Sequence, residues 1–377
     1  MKIVVATDSF KGCMTSTQAG EIMARAFREQ LPSGEIVVIP MADGGEGTTE
    51  AVLSATGGEL RTVRVAGPLG EPVDASFGLL PDGRTVVMEM AAASGIELIS
   101  PDELDPMRAT TFGTGELIRA GLAAGAREIV IGVGGSATVD GGVGMARALG
   151  YRLFDETGGN LRPGGGALAS LSRIESTSVV PTLFACRLRV ASDVTNPLLG
   201  SNGAARVFGP QKGATPKMVD DLERGLAHLA GIWRREGLLD SVDRPGDGSA
   251  GGLGAGLRAF CRAELGSGAE LVAGLTGFDD EIRDADLLVT GEGRTDEQTA
   301  GGKLPAVLAA RAKMTGVRTI LISGTITGDT SALDGFFDAT YSTVDDGVSS
   351  EQAIDCGREN LARRAREVAV SVVESVS

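Results

Sequence analysis

The sequence predicts an α/β protein in which a Rossmann-like parallel-sheet domain is split by an inserted second α/β domain with a mixed sheet. Three observations carry this reading. Uninterrupted Val/Ile/Leu runs recur along the 377 residues, among them KIVVAT, EIVVIPM, EIVIGV, LRVAS, DLLVT and TILIS. Apolar runs without alternation suit strands buried on both faces, as in parallel sheets. Each run stops on a loop of glycine, hydroxyl and acidic residues, and from about residue 60 closely spaced turns interrupt the α/β rhythm of the two chain ends.

The first segment reads as a β-α-β unit: a strand at 2–7, a helix from about Thr17 to Leu31 and a strand at 35–41. Ala19, Ile22, Met23, Ala26, Phe27 and Leu31 supply the helical period, with Thr15 or Ser16 as N-cap. A second helix follows at 48–55. In the stretch RTVRVAGPLGEPVDASFGLLPDGRTVVMEM the turns leave no room for crossover helices, so its short strands are expected to pair antiparallel. From about 285 the rhythm returns with DLLVT, a helix around 303–315, TILIS, ATYST and a final helix at about 351–375. The predicted domains are therefore 1–60 plus 285–377, Rossmann-like, and an inserted mixed-sheet domain at 61–284. Small molecules favour domain interfaces and the carboxyl ends of parallel strands, which places the expected active site in the interdomain cleft.

Composition narrows the function. A formal net charge of −15 argues against a nucleic-acid partner, since duplex binding depends on Lys and Arg neutralising phosphates. No apolar run reaches the roughly 20 residues of a membrane helix. The first strand begins within two residues of Met1, which leaves no signal-peptide region and predicts a cytoplasmic protein. Four scattered cysteines form no C-x-x-C pair, against a zinc site or a disulfide framework. The single histidine, His228, lies roughly 120° from the Leu222, Leu226, Leu229, Trp233 seam and is expected to face solvent. Ser-His-Asp, Cys-His and His-rich metal chemistry thereby lose their central group, and any general base is expected to be a carboxylate or a lysine.

The loops offer the alternatives. Asp8-Ser9-Phe10-Lys11-Gly12 joins a carboxylate to a lysine ahead of a helix, a place for a phosphate or carboxylate, or a capped turn. Asp43-Gly44-Gly45-Glu46-Gly47 sets two carboxylates on glycine-rich backbone, which suits Mg²⁺ with substrate phosphates or an ordinary turn capped by Thr48. Gly132 to Ala137 fits the dinucleotide fingerprint G-x-G-x-x-A, with Asp155 after the strand YRLF where a ribose-binding acid belongs. That keeps an NAD-linked oxidoreductase in view, although Asp140-Gly141-Gly142 interrupts the helix the fingerprint wants; Gly134, Gly135, Ser136 and Thr138 suit a phosphate loop instead. At 193–197 a carboxylate, a hydroxyl and an amide from Asp193, Thr195 and Asn196 meet at a strand end, with Lys212 close behind. A buried Asp193 is a candidate to take a substrate hydroxyl proton, and an Asx-turn before Pro197 is the bland rival. Glu292, Arg294, Asp296 and Lys303 again combine acids with cations around glycines, and read otherwise as a charged surface connection. Phosphate and a divalent metal are the chemistry these loops share.

Taken together, DSFKG at 8–12, ADGGEGT at 42–48, GPLGEPV at 67–73, EMAAASG at 89–95, GGSATVDGG at 134–142, SDVTNPLLG at 192–200, FGPQKGA at 208–214, AGGLGAGL at 250–257 and TGEGRTDEQT at 290–299 resemble the bacterial type I glycerate kinases nearly end to end. The resemblance implies an ATP-dependent, Mg²⁺-requiring transfer of phosphate to D-glycerate, usually giving 2-phosphoglycerate and ADP, by a two-domain α/β enzyme. Its small departures are Val139, Ser192 and Ser249, where the family usually has Asn, Cys and Ala.

On this reading Asp193 and Lys11 are the candidate catalytic residues. Asp8, Ser9, Gly134, Gly135, Ser136, Thr138, Asn196, Lys212, Glu292, Arg294, Asp296 and Lys303 are the candidates for binding substrate or phosphate, and Asp43 and Glu46 for the metal. If the family's Asn touches substrate, Val139 opens the acceptor to a related small 2-hydroxy acid. A non-catalytic acidic-ligand protein is the remaining class. The expected partners are small molecules, ATP and glycerate, with no nucleic acid and no membrane, and a homodimer is compatible with the sequence.

Overall fold

The computed structural model describes residues 1–297, 299–344 and 350–376. In chain order its strands are β1 (Lys2–Thr7), β2 (Glu35–Pro40), β3 (Glu59–Ala66), β4 (Pro72–Leu79), β5 (Thr85–Glu89), β6 (Glu128–Gly132), β7 (Arg152–Asp155), β8 (Leu171–Glu175), β9 (Arg187–Ala191), β10 (Glu264–Gly266), β11 (Leu287–Thr295), β12 (Arg318–Ile326) and β13 (Ala339–Ser342). The chain divides into two compact units, one of Met1–Asp43, Glu50–Gly57 and Ala269–Ser377, the other of Gly44–Thr49 and Gly58–Gly268.

The first unit is a sheet in the order β13-β12-β11-β1-β2, parallel throughout. The helix Ser16–Gln30 crosses from β1 to β2, and Thr15 caps it by a reciprocal capping box with Gln18. Its Met23 and Phe27 join Ile3, Val5, Leu287, Val289, Ile320 and Ile322 in one core. The helix Gly357–Val376 covers the same core with Leu361, Ala365, Val368 and Val372, a helical stripe. Burying a side chain such as Phe27 contributes roughly 1.5–3 kcal/mol.

The second unit is a mixed sheet in the order β10-β9-β6-β5-β4-β3. Its β3-β4 and β4-β5 pairs are antiparallel and the others parallel, as the turn-rich stretch from 60 to 89 predicts. The helix Pro216–Arg235 buries Leu222, Leu226, Leu229 and Trp233, and Trp233 meets Phe260 edge-to-face at 5.7 Å. His228 is exposed on that helix, with its Nε2 2.6 Å from the Leu171 carbonyl. All four cysteines carry free thiols. No helix among the described residues is long and apolar enough to cross a membrane.

Three expectations change. The strands β11 and β12 continue through their glycines to Thr295 and Ile326, pairing Glu292 with Ser323 and Arg294 with Thr325. Two of the six expected loops are therefore ladder, because glycine in a strand leaves the parallel hydrogen bonding intact. The last helical stretch is two helices, Ser350–Asp355 and Gly357–Val376. Lastly, β6 does not open a dinucleotide β-α-β unit: the helix after it is only Val143–Ala148, and β7 pairs antiparallel with β8 in a separate two-stranded sheet.

Candidate active site

In the first unit the candidates gather at the carboxyl ends of the adjacent strands β1 and β11. The Asp8 N–H donates to the Gly291 carbonyl at 2.9 Å, and the Asp8 Oδ1 accepts from the N–H of the next residue, Ser9, at 2.7 Å, in the turn that leads into Lys11. This turn lies directly over β11, since a side chain on Gly293 would approach the Lys11 backbone N to 3.2 Å. Lys11 is exposed and has no ion pair among the described residues. Arg294 and Lys303 are differently placed: both face Asp296, at 3.5 and 3.0 Å.

Glu292 is not a surface charge. It is 6% exposed, and its Oε1 accepts from the Thr295 and Thr299 hydroxyls, each at 2.8 Å. Burial pushes its carboxyl above the usual range, and the two hydroxyls oppose that shift.

In the second unit the ends of β5, β6 and β9, neighbours in the sheet, carry three loops that interlock. The Ile96 N–H donates to the Gly135 carbonyl at 2.8 Å and the Ala137 N–H to the Ser94 carbonyl at 3.0 Å. Gly44 and Gly45 wedge onto the same strand ends. A side chain on Gly44 would meet the Ala191 carbonyl oxygen at 2.7 Å, and one on Gly134 would meet the Gly45 Cα at 2.9 Å. Gly44 also has φ near +90°, the left-handed region that glycine alone enters without strain.

Glu89, at the end of β5, ties this wedge down. Its Oε1 accepts from the Thr49 N–H at 2.8 Å and its Oε2 from the Gly47 N–H at 3.2 Å. Burial raises its carboxyl above the usual range, against those N–H groups and with help from the neighbouring Glu46 charge. Of the two expected metal ligands, Asp43 is half-buried and Glu46 exposed.

The loop after β6 is built around buried polar groups. Asp140 is fully buried and accepts the N–H groups of Thr111, Gly142 and Gly144 at 2.9, 3.0 and 3.2 Å, along with the Thr111 hydroxyl. Burial pushes its carboxyl up, and these donors hold it back. Lys212, a candidate for binding substrate or phosphate, is 1% exposed; its Nζ donates to the Ser136 Oγ at 2.6 Å and the Thr138 carbonyl at 2.8 Å. Burial lowers its pKa to about 7, opposed by the Asp140 charge. The Thr138 Oγ1 is buried without a hydrogen-bond partner among the described residues, a state that costs about 1–3 kcal/mol. Beneath the loop, Ala250, Gly251 and Gly252 run through the left-handed region, and a side chain on Gly251 would overlap the Thr138 carbonyl.

Asp193 follows β9 and is exposed rather than buried, with its Oδ1 accepting from the Gly268 N–H at 3.0 Å. Asn196 is part of the scaffold: its Nδ2 donates to the Asn202 carbonyl at 2.8 Å and its carbonyl accepts from the Gly248 N–H at 2.9 Å. The turn it braces is closed by Asp247, whose carboxylate takes the Arg258 Nη1 at 2.5 and 2.7 Å in a buried ion pair. Val139 is fully buried in the main core of this unit.

The model of the glycerate kinase family matches residues 3–373. The chain belongs to the glycerate kinase family. It is 44% identical to the "Glycerate 2-kinase" of Escherichia coli strain K12, over 99% of this chain and 98% of that one. It is 46% identical to the "Glycerate kinase" of Bacillus subtilis strain 168, over 99% and 98% of the two chains. A solved structure described provisionally as glycerate kinase 2 from Salmonella typhimurium LT2 superposes with a TM-score of 0.90 at 44% identity, covering 100% of this chain and 99% of that one. The glycerate kinase fold is thus shared across the whole chain, and the protein is an enzyme of the kinase class. Glu89, Asp140 and Asp247 are the buried carboxylates that sequence reasoning did not name as site residues; Glu89 and Asp140 lie inside segments that carry the family resemblance, and Asp247 lies three residues before another.

Proposed function

We propose that the enzyme transfers the γ-phosphoryl group of ATP to the 2-hydroxyl of D-glycerate, giving 2-phosphoglycerate and ADP. The observation that supports this most is the interlocking of the Gly44-Gly45 wedge with the loops after β6 and β9. It gathers backbone N–H groups, the Ser136 hydroxyl and the Asp193 carboxylate on one set of strand ends, a surface suited to holding phosphate oxygens beside a carboxylate. The name carried by the Escherichia coli relative specifies the 2-position.

In this reading Ser136 and the backbone of Gly134 and Gly135 donate to phosphate oxygens. Lys11, exposed in the first unit and without an ion pair among the described residues, is a separate candidate cation for phosphate. The exposed Asp193 carboxylate takes the proton of the 2-hydroxyl as the new O–P bond forms and the bond to ADP breaks. Positioning and charge neutralisation dominate, because phosphoryl transfer asks for little covalent help. Arg294 and Lys303, already paired with Asp296, shape the loop more than they neutralise substrate.

No group of three or more His, Cys, Asp or Glu side chains among the described residues forms a metal cage. Asp43, half-buried, and Glu46, exposed, on their glycine-rich loop fit Mg²⁺ that is held by one or two carboxylates together with substrate phosphates, a common arrangement for this ion. Asp43 and Glu46 would be its ligands, and the ion would supply neutralisation of the phosphate charge. Val139 is fully buried, so its side chain offers no exposed surface to an acceptor, and glycerate remains the proposed substrate.

The test is ADP release by the purified protein with Mg-ATP and D-glycerate, L-glycerate or other small 2-hydroxy acids. D-glycerate is expected to give the largest stimulation. A rate no greater than that without acceptor would overturn the reading, and a stronger response to another acid would reassign the substrate.

A further inference from the structure

Lys212 holds a position that the reaction scheme above leaves unused. It is buried beneath the loop at 134–138, and it contacts two atoms of that loop, the Ser136 Oγ and the Thr138 carbonyl. A carbonyl only accepts, so one Nζ–H is committed to Thr138. The bond to Ser136 has two forms. A charged ammonium has no lone pair, so it must donate, and the Ser136 oxygen accepts. The Ser136 hydroxyl proton then turns elsewhere, and no described residue accepts it. A neutral amine has a lone pair and can take that same proton, turning the hydroxyl inward.

We propose that Lys212 is a positioning residue: in its charged form it turns the Ser136 hydroxyl proton outward to an anionic ligand oxygen, so that binding of a phosphate group is coupled to uptake of one proton by Lys212. The inference rests on the kinase reading only in naming that anion as a phosphate of ATP. Three further observations agree with it. Of the groups in this network, Ser136 is 8% exposed while Thr138 and Asp140 are fully buried, so Ser136 is the one that reaches outward. Asp140, the charged group acting on Lys212, is itself saturated by backbone N–H groups and does not contact the amine. Burial also places the titration of Lys212 near neutrality, where a ligand can shift it.

The sign is fixed by linkage. An anion at Ser136 favours the ammonium and raises the pKa of Lys212 in the complex above its free value of about 7. Proton uptake is then largest above pH 7, and affinity weakens as pH rises, by at most about tenfold per pH unit for one proton. Below pH 7 this group no longer changes the affinity.

The experiment is calorimetric titration of the full chain with Mg-ATP at pH 8, in two buffers of different ionisation enthalpy, for wild type, Lys212→Met and Ser136→Ala. The expected result is net proton uptake in wild type that both variants lose, together with a flatter pH dependence of Kd between 7 and 9. Turnover of Lys212→Met is expected to fall by about 10²-fold, the scale of a misplaced reacting group. If both variants keep the wild-type uptake and pH profile, and Lys212→Met loses only thermal stability, Lys212 is structural and the proposal is overturned. Should Lys212→Met not fold, Ser136→Ala decides the matter, since it removes only a hydroxyl. If wild type does not bind ATP, the kinase reading fails, and the same titrations with inorganic pyrophosphate judge the coupling on its own: uptake lost in Ser136→Ala supports it, and unchanged uptake overturns it.

Discussion

Asp193 and Glu89 are both carboxylates at the end of a parallel strand, and their surroundings assign them different work. Asp193 is exposed, with its Oδ1 accepting from the Gly268 N–H, and it is the carboxylate to which the proposed mechanism gives the substrate proton. Replacing it by Asn is expected to lower kcat by about 10²–10⁴-fold with an unchanged melting profile. Steady-state rates near wild type would remove it from the base role. Glu89 instead spends both oxygens on backbone N–H groups of Thr49 and Gly47. Glu89→Gln turns an NH₂ toward one of those donors, so a loss of about 1–3 kcal/mol is expected in urea unfolding. An unchanged midpoint and slope would mean that Glu89 does not hold the wedge. Glu89 was hard to read from sequence because its partners lie 42 and 40 positions earlier, beyond any local pattern.

At the scale of elements, period and turn chemistry made the strands and the first helix legible, down to the Thr15 capping box. They failed where glycine was taken as a stop. In β11 and β12 the ladder runs on past Gly291 and Gly324, because the neighbouring strand supplies the hydrogen bonds that decide strand length. The dinucleotide fingerprint failed for a related reason: two glycines and an alanine can be matched by spacing alone, but where YRLF pairs is a long-range fact. Close approach also separates glycines that look equivalent in sequence. Gly57 and Gly251 both have positive φ, at 74° and 67°, yet nothing lies within 4 Å of a side chain at Gly57, while one at Gly251 strikes the Thr138 carbonyl. Gly57→Ala is expected to cost only the left-handed penalty of roughly 1–2 kcal/mol. Gly251→Ala adds overpacking of about 1–3 kcal/mol and disturbs the loop that carries Ser136. Equal shifts in melting temperature for the two variants would contradict this distinction.

For the molecule as a whole, a buried lysine links stability to pH. The folded-state pKa of Lys212, lowered to about 7, lies below the ordinary lysine value of 10.5. Between those values the unfolded chain binds more protons, so this group makes folding more favourable as pH rises through the window and contributes a constant penalty below it. The unfolding free energy of wild type relative to Lys212→Met is therefore expected to shift in favour of wild type as pH increases from 7 to 10. Parallel curves would show that the lysine stays charged in the folded state. Sequence named Lys212 as a candidate for binding substrate or phosphate, and nothing local in FGPQKGA announces that the 134–138 loop will close over it.

The central claim, transfer of phosphate to the 2-hydroxyl of glycerate, is tested most directly by phosphorus-proton correlation NMR of the products from Mg-ATP and D-glycerate. A new phosphomonoester coupled to the C2 proton, absent without Mg²⁺, is the expected result. A signal coupled instead to the C3 protons, or ATP left intact, would contradict the account.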